Sequence, residues 1–341
     1  MIKVGLCGFG TMAKGHAQML QLHDGVELVA IADPVEENRK KAAELYSGVK
    51  IYETGEELID AGGLDVVFVV VPTYLHNPLA VRALNKGCHV FCEKPMALNP
   101  QLCQEMIDAA KKADKALMIG QVLRFWPEYV FLKKTIDEKL YGKLLALSMQ
   151  RVGDVSSGWQ GWYLDEERGG SQLFDRHLHD ADAILWMLGK PKEVYAHGCK
   201  RDPRTGGGVF HSFTEYYYND DMVVSAEGSA DTVKGFPFTA TYRATFENAV
   251  VEFDCRRNPT VLVYAGAEPF APEMSGGVAD LKSGMNIKNA APYFFEECYF
   301  FDCIKKGIKP QTVTPESAME SITMIRAEVE SAKTRKAVKL Q

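Results

Sequence analysis

The feature that most constrains the fold of this chain is the alternation of short apolar runs with helix-like stretches over its first third. The first run, Ile2–Cys7, leads through a glycine-rich turn into a stretch with helical spacing, and the same succession repeats as far as Ala116–Ile119. Val66–Val71 is apolar at every position, which is typical of a strand buried on both faces of a parallel sheet. Strands that alternate with helices predict a doubly wound parallel sheet, here over residues 1–121.

The turn after the first run has the pattern G-x-G-x-x-A. Gly8 permits a tight turn, Gly10 lets the backbone approach a pyrophosphate, and Ala13 lets the following helix pack close to the strand. The amino end of that helix, at Thr11 and Met12, would face the phosphates. Because a strand precedes the pattern and a helix follows it, the turn predicts a Rossmann domain that binds a dinucleotide.

An acidic residue, Asp33, closes the next apolar run. A carboxylate in this position accepts hydrogen bonds from a ribose 2′-hydroxyl group and would repel a 2′-phosphate. Asp33 therefore favours NAD over NADP as the cofactor. Arg39, a little further on, leaves NADP as the alternative, because a nearby arginine can accommodate the 2′-phosphate.

Two later loops should lie at the same edge of the sheet as the glycine-rich turn. The loop Pro72–His76 follows the run Val66–Val71, and Glu93-Lys94-Pro95 follows the run His89–Cys92. Because ligands bind outside the carboxyl ends of the strands in open α/β sheets, this edge predicts a ligand site. The residues expected to bind the cofactor, besides the turn and Asp33, are Pro72, Thr73, His76, Glu93 and Lys94.

Lys94 is the most informative residue at this edge. On position alone, it fits an ordinary surface lysine in a strand-to-helix loop at least as well as a functional one. Its bond to Pro95 can be cis, and a cis bond fixes a sharp turn that aims the neighbouring side chain. His16, about one turn into the first helix, is interpreted as a packing histidine rather than a ligand.

Residues 122–341 show a different pattern. Strand-like runs such as Leu144–Val152 and Val209–Tyr218 follow one another with few helices between them. This pattern predicts a second, α+β domain with a mostly antiparallel sheet. Helix-like stretches are expected near Glu128–Lys139, Tyr293–Lys306 and Pro315–Ala332.

One further helix-like stretch lies among these strands, between Ser171, its expected N-cap, and Gly189. Asp175, His179 and Asp182 recur within it at i, i+4 and i+7, so a helix would place them on one face. A carboxylate four residues from a histidine can hold the imidazole in one tautomer and raise its basicity. A solvated polar face is the alternative interpretation.

Other classes of function are disfavoured by composition and spacing. His177 and His179 suggest a metal pair, but residues at i and i+2 of a helix do not face each other, so no metal site is predicted. The net charge of −6 offers no basic surface for nucleic acid, and the longest apolar run is too short to span a bilayer.

The eight cysteines are scattered without a C-x-x-C pair, as in reduced proteins. Because the amino terminus enters a strand at once, a cytoplasmic protein without a signal peptide is expected.

Taken together, the motifs resemble the Gfo/Idh/MocA family of oxidoreductases, named after glucose-fructose oxidoreductase and inositol dehydrogenase. The matching motifs are G-x-G-x-x-A, Pro72-Thr73-Tyr74-Leu75-His76, Glu93-Lys94-Pro95, and the later pattern of Gly169, Gly170, Asp175, His179 and Asp182. The resemblance covers nearly the whole chain. It implies a Rossmann domain followed by an α/β domain with a large open sheet, whose exposed face commonly forms a dimer or tetramer contact.

The resemblance also implies site residues. The family's catalytic lysine falls on Lys94, and its aspartate–histidine pair falls on Asp175 and His179. Arg176 and His177 depart from the family, whose members often have small or apolar residues there, and this departure leaves the substrate open. The candidates for holding substrate hydroxyl groups are Arg124, Trp159, Tyr163 and His177, each of which can instead be structural.

The expected activity is hydride transfer between NAD(P) and a secondary hydroxyl group of a sugar, inositol or glycoside. Lys94 would donate a hydrogen bond to the substrate oxygen, and His179 would remove the hydroxyl proton. Two alternatives remain open: a glycosidase or lyase that retains NAD and is redox-neutral overall, and a non-catalytic NAD-binding regulator. The expected partners are a carbohydrate or cyclitol substrate and further copies of the chain, in a homodimer or homotetramer.

Overall fold

The computed structural model describes residues 1–154, 158–199, 208–218, 221–230, 235–274 and 290–340. The chain forms two compact units, Met1–Phe125 with Val278–Met319, and Trp126–Gly277 with Glu320–Gln341. Its strands make two separate sheets. Among the helices of the described residues, none is long and apolar enough to cross a membrane.

The first unit contains a parallel sheet, which in the described residues has six strands in the order β3-β2-β1-β4-β5-β6. The predicted doubly wound parallel sheet is thereby confirmed. The strands are β1 (Ile2–Cys7), β2 (Val26–Ala32), β3 (Lys50–Tyr52), β4 (Val66–Val69), β5 (His89–Glu93) and β6 (Leu117–Gly120). The helices between them are α1 (Thr11–Leu20), α2 (Glu36–Leu45), α3 (Gly55–Ala61), α4 (His76–Asn85) and α5 (Pro100–Ala113), and short 3₁₀ turns cover Thr73–Leu75 and Val122–Phe125.

Local sequence signals set the ends of several elements. The α5 helix begins after Asn99, whose side chain accepts a hydrogen bond from the Leu102 N–H at 2.9 Å, with Pro100 in the first turn. It ends at Asp114, which adopts a left-handed conformation with a φ of 49°. These signals set both ends of α5.

A late helix, α9 (Ala291–Lys306), belongs to the first unit. The ring of Phe300 lies 5.7 Å from that of Phe91, and the ring of Phe301 lies 5.9 Å from that of Phe68. The division of the chain therefore differs from the two continuous domains, 1–121 and 122–341, that the sequence suggested. The physical reason is that the apolar face of α9 packs against strands β4 and β5. This contact joins residues that are far apart in the chain.

The second unit contains a sheet of eight strands within the described ranges, in the order β13-β12-β11-β7-β10-β9-β8-β14. Neighbouring strands are antiparallel except for β7 and β10, so the expected mostly antiparallel sheet is confirmed. The strands are β7 (Leu144–Val152), β8 (Glu193–Cys199), β9 (His211–Tyr217), β10 (Val223–Ser229), β11 (Thr239–Phe246), β12 (Val250–Asp254), β13 (Val261–Tyr264) and β14 (Val338–Lys339). The remaining helices of the chain are α6 (Pro127–Asp137), α7 (Glu166–Gly169), α8 (Leu178–Leu188) and α10 (Pro315–Thr334), with a 3₁₀ segment at Trp159–Leu164 and a π-helical turn at Leu173–His177.

The two faces of this sheet differ in exposure. On β9, Ser212, Thr214 and Tyr216 are buried, whereas Phe213 and Tyr217 are 57% and 61% exposed. Such alternation is typical of an antiparallel strand with one covered face and one open face. The open sheet that the family resemblance implied is therefore present.

Candidate functional site

The glycine-rich turn after β1 has the conformation that its sequence predicts. Gly8 has a φ of +96°, and a Cβ atom there would collide with the carbonyl oxygen of Val70. Gly10, the N-cap of α1, has a φ of −76°, and no atom lies within 4 Å of where its Cβ would be. No side chain caps this end of α1, so its first N–H groups, at Thr11 and Met12, are available to an anion.

Asp33 ties the end of β2 to this turn. Its Oδ2 atom accepts a hydrogen bond from the Phe9 N–H at 2.7 Å, and its Oδ1 atom accepts one from the Val35 N–H at 2.8 Å. Arg39 donates from Nη1 to the carbonyl oxygens of Asp33 and Pro34, at 2.9 Å each. The guanidinium group on which the NADP alternative depends is thus engaged with backbone oxygens.

The residues around the turn fit a bound dinucleotide. The open space at Gly10 and the uncapped end of α1 suit a pyrophosphate, which needs close backbone approach and N–H donors. Asp33, at the end of the neighbouring strand, has the carboxylate that a ribose requires. Gly10, Thr11, Met12 and Asp33 are therefore the residues that would hold the cofactor.

Exchanging each glycine for alanine separates folding from cofactor binding. Gly8→Ala should lower the unfolding free energy by about 1–3 kcal/mol, because its φ is positive and its Cβ meets a backbone oxygen. Gly10→Ala should leave the melting temperature nearly unchanged but weaken NAD binding, because its methyl group enters the open space. Thermal melts and calorimetric titration with NAD check both variants. A Gly10→Ala protein with unchanged NAD affinity would contradict this location of the pyrophosphate.

His76 brings the two later loops together. Its Nδ1 atom lies 2.8 Å from the carbonyl oxygen of Pro95, and its Nε2 atom lies 2.8 Å from that of Val71. The ring is buried, and this burial lowers the pKa of His76. A neutral ring donates to one of the two oxygens only, and donation from Nδ1 to the carbonyl oxygen of Pro95 joins the loops. Thr73, three residues before His76, is also buried, whereas Pro72 is half-buried.

The Lys94–Pro95 peptide bond is cis, one of the two geometries that an X-Pro bond can adopt. The backbone N–H of Lys94 donates to Oε2 of Glu93 at 3.0 Å. Glu93 is 6% exposed, and its Oε1 atom lies 3.0 Å from Nε2 of His16. The carboxylate of Glu93 is thus turned into the first unit, where it contacts a side chain that the sequence marked only as packing.

The segment that carries Asp175 and His179 is not a single regular helix. A π-helical turn, Leu173–His177, precedes α8, and Oγ of Ser171 accepts a hydrogen bond from the N–H of Leu173 at 3.3 Å. Asp175 lies in the π turn and accepts a hydrogen bond from the hydroxyl group of Tyr163 at 3.3 Å. Turns of this kind are frequent at functional sites.

Asp182 does not share the exposure of the other two polar residues. It is 1% exposed, and its Oδ1 atom accepts a hydrogen bond from Oγ of Ser321 at 2.7 Å. Asp175 and His179 are both half-buried. The expected polar face of three residues therefore reduces to a pair, since Asp182 forms a buried contact with α10.

Two of the four candidates for holding substrate hydroxyl groups prove to be buried. Arg124 is 5% exposed and donates to the carbonyl oxygen of Thr312 at 2.9 Å and to Oγ of Ser317 at 3.1 Å. His177 is fully buried, and its Nε2 atom lies 2.8 Å from Oε2 of Glu328. Contacts of this kind also hold the chain together, and the role of these two side chains in holding substrate stays a prediction.

The other two candidates remain accessible. Trp159 is 40% exposed, and Tyr163 is half-buried with its hydroxyl group on Asp175. The ring of Tyr163 stacks on that of Trp162 with centroids 4.0 Å apart. An aromatic surface thus lies beside the carboxylate of Asp175.

Comparisons with known proteins identify the family. A model of an oxidoreductase family with an NAD-binding Rossmann fold matches residues 2–121, and a model of the GFO/IDH/MocA C-terminal domain matches residues 129–252. The first unit thus contains an NAD-binding Rossmann domain.

Individual relatives agree with these matches. D-glucoside 3-dehydrogenase of Escherichia coli K12 is 32% identical over 206 residues, which cover 59% of this chain and 58% of that protein. The 2,7-anhydro-N-acetylneuraminate hydratase of the same organism is 28% identical over 229 residues, which cover 65% of this chain and 57% of the relative. The chain thus spans less than two thirds of the length of these curated relatives.

A solved structure of levoglucosan dehydrogenase with NADH and levoglucosan shares the fold. Its TM-score is 0.86 at 22% sequence identity, and the match covers 99% of each chain. Because two models from one family match in the expected order, and because the whole fold recurs in a solved dehydrogenase, the chain belongs to the Gfo/Idh/MocA family of oxidoreductases.

Proposed function

We propose that the chain is an NAD-dependent oxidoreductase that transfers a hydride between the nicotinamide and a secondary hydroxyl group of a sugar, cyclitol or glycoside. The observation that carries this proposal is the placement of Asp175 in a π turn and of His179 four residues later at the start of α8, in a chain whose Rossmann sheet has Lys94 directly after β5. A relative named as a D-glucoside dehydrogenase supports the substrate class.

In this reaction, the substrate loses a proton from oxygen and a hydride from carbon, and a ketone results. His179 removes the hydroxyl proton as a general base, and Asp175 orients the imidazole. Lys94 donates a hydrogen bond to the same oxygen and stabilises the negative charge that develops on it. When bound, the nicotinamide supplies the hydride acceptor.

The cofactor is held by residues of the first unit. Gly8, Gly10 and Ala13 shape the turn, Thr11 and Met12 offer N–H donors, and Asp33 accepts from the ribose. Pro72, Thr73, His76, Glu93 and Lys94 form the two loops beside the turn. Trp159 and Tyr163 provide an aromatic surface and a hydroxyl group that suit a polyhydroxylated ring.

Further copies of the chain are the expected macromolecular partners, in a cytoplasmic homodimer or homotetramer. The open face of the eight-stranded sheet supports this assembly, because it exposes Tyr195, Phe213, Tyr217 and Val223 by 41–67%. Exposed aromatic residues of this kind are enriched at protein interfaces. A single monomeric species in sedimentation velocity at micromolar concentration would refute the assembly.

The activity is tested with a substrate panel. The protein is incubated with NAD or NADP and with myo-inositol, levoglucosan or methyl glucosides, and the absorbance of the reduced nicotinamide is followed. Reduction of NAD by at least one member of the panel is the expected result, with a slower rate for NADP. No reduction with any member, although NAD binds, would count against net oxidation.

A redox-neutral reaction is the second candidate, and the relative named as a hydratase favours it. Such an enzyme keeps its NAD bound, oxidises the sugar transiently and returns the hydride. Purified protein would then carry nicotinamide, and substrate would be consumed without added NAD. Nicotinamide-free protein that consumes substrate only with added NAD would eliminate this candidate.

A further inference from the structure

A buried cluster of ionisable side chains links the dinucleotide turn to Lys94. His16 lies on α1 and is fully buried. Its Nδ1 atom lies 2.7 Å from Oε1 of Glu297 on α9, and its Nε2 atom lies 3.0 Å from Oε1 of Glu93 on β5. Each ring nitrogen therefore faces a carboxylate oxygen, which accepts but does not donate. A neutral imidazole has one N–H group, so satisfying both carboxylates requires the imidazolium form.

The surroundings of His16 strengthen these charged hydrogen bonds. Phe68, Phe91 and Tyr293 enclose the imidazole, with ring centroids 5.7, 5.5 and 6.2 Å away. Burial alone would lower the pKa of His16, but the hydrogen bonds and charges of Glu297 and Glu93 raise it to about 10. An imidazolium between two carboxylates is accordingly the resting state of this residue at neutral pH.

The contact continues from Glu93 to the catalytic turn. Oε1 of Glu93 is held by His16, and Oε2 accepts the backbone N–H of Lys94 at 3.0 Å. On the other side, a Cβ atom on Gly120 would come within 3.2 Å of Oε1, so the glycine in β6 leaves the room that the carboxylate occupies. A continuous path thus runs from the phosphate-binding end of α1 through His16 and Glu93 to Lys94.

We propose that His16, as an imidazolium, is a positioning residue that couples the dinucleotide-binding helix to the Lys94 turn. Phosphates bound at the amino end of α1 fix this helix, and the helix fixes His16 and Glu93, which hold the backbone N–H of Lys94. The catalytic part of this inference rests on the proposed function. The coupling itself can be measured without any substrate.

The test is hydrogen exchange at the Lys94 amide, measured by mass spectrometry on the peptide Cys92–Met96 with and without NAD. In the wild-type protein, NAD should slow this exchange severalfold. In His16→Gln, the slowing should be lost although NAD still binds, and kcat should fall about 10²-fold if Lys94 is displaced. A folded His16→Gln protein that keeps the full NAD-dependent slowing would overturn the coupling.

His23 offers a matched control. Its Nε2 atom lies 2.8 Å from Oε2 of Glu297, the same carboxylate that His16 uses, but its hydrogen bonds lead away from Glu93. His23→Gln should therefore keep the NAD-dependent slowing at Lys94. Equal loss in His23→Gln and His16→Gln would show a general effect of the cluster on stability and would also overturn the coupling. If His16→Gln does not fold, the double variant His16→Gln with Glu297→Gln, which also removes the buried carboxylate that faces Nδ1 of His16, takes its place.

The pH dependence of stability tests the charge state in the unaltered protein. The ionisable groups facing His16 are Glu93 from β5 and Tyr293 and Glu297 from α9, and His23 faces the second oxygen of Glu297. Because the pKa of His16 rises from 6.5 to about 10 on folding, its contribution to stability is complete below pH 6.5. The contribution is lost as the pH rises through about 10. The melting temperature should fall between pH 6.5 and about 10 in the wild-type protein and in His23→Gln. If the melting temperature of the wild-type protein falls no more steeply with pH than that of the His16 variant, His16 is not an imidazolium.

Failure of this inference can be told apart from failure of the proposed function. Amide exchange needs NAD alone, so it remains interpretable if no member of the substrate panel reduces NAD. Conversely, normal turnover in a folded His16→Gln protein, with unchanged exchange at Lys94, overturns the coupling and leaves the proposed function standing.

Discussion

Lys94→Ala should lower kcat by about 10²–10³-fold, because it removes a preorganised hydrogen-bond donor from the oxygen on which negative charge develops. NAD binding should survive, since the residues proposed to hold the dinucleotide are the glycine turn and Asp33, which contact each other through the Phe9 N–H. Steady-state kinetics with the substrate that responds in the panel, together with calorimetric titration of NAD, would measure the two effects separately.

Lys112→Ala is the matched control for this variant. Lys112 is an exposed lysine on α5, so its removal changes the net charge by the same amount without touching the β5 loop. Turnover should stay at the wild-type level in Lys112→Ala. Near-wild-type turnover in Lys94→Ala as well would contradict the catalytic role of the lysine.

His179→Ala should lower kcat by about 10²–10⁴-fold, the range that general base catalysis contributes. The loss should be largest near neutral pH and smaller at high pH, where hydroxide replaces the missing base. Asp175→Asn should have a smaller effect, because the asparagine keeps the shape of the side chain but does not stabilise the imidazolium that forms when His179 takes up the proton. Rates measured from pH 6 to 10 would separate the two roles.

The control for the base is His197→Ala. His197 is exposed on β8, so removing it should leave the rate and its pH dependence unchanged. Tyr163→Phe removes the hydroxyl group that bonds Asp175 at 3.3 Å, and a small loss is expected from it. If His179→Ala retained the neutral-pH rate of the wild-type protein, another group would have to be the base.

Local signals explain why much of the fold could be predicted from the sequence. Periodicity located the strands, and the glycine turn marked the start of α1. The π turn before α8 escaped prediction because helical spacing does not distinguish a π turn from an α turn over five residues. The placement of α9 with the first unit could not be predicted from the sequence, because it depends on packing against β4 and β5.

The candidate site was predictable to the extent that its motifs are local. The Lys94-Pro95 turn and the i, i+4 spacing of Asp175 and His179 can be read from the local sequence, whereas the burial of Arg124 and His177 cannot. The sequence placed His16 correctly as buried but missed its two carboxylate partners, one of which is far away in the chain. Two charged residues within the otherwise apolar run Tyr293–Phe301, Glu296 and Glu297, were the signal that could have pointed to a buried ion pair.

The most direct test of hydride transfer uses a substrate that carries deuterium on the carbinol carbon. The protein is supplied with NAD and the deuterated form of the panel member that reacts, and the released nicotinamide is analysed by mass spectrometry. Net oxidation predicts one deuterium on each reduced nicotinamide released, in proportion to the ketone formed, and about 10²–10³-fold slower formation of the labelled nicotinamide in Lys94→Ala. Conversion of the substrate with no deuterium in the released nicotinamide would contradict net oxidation by hydride transfer.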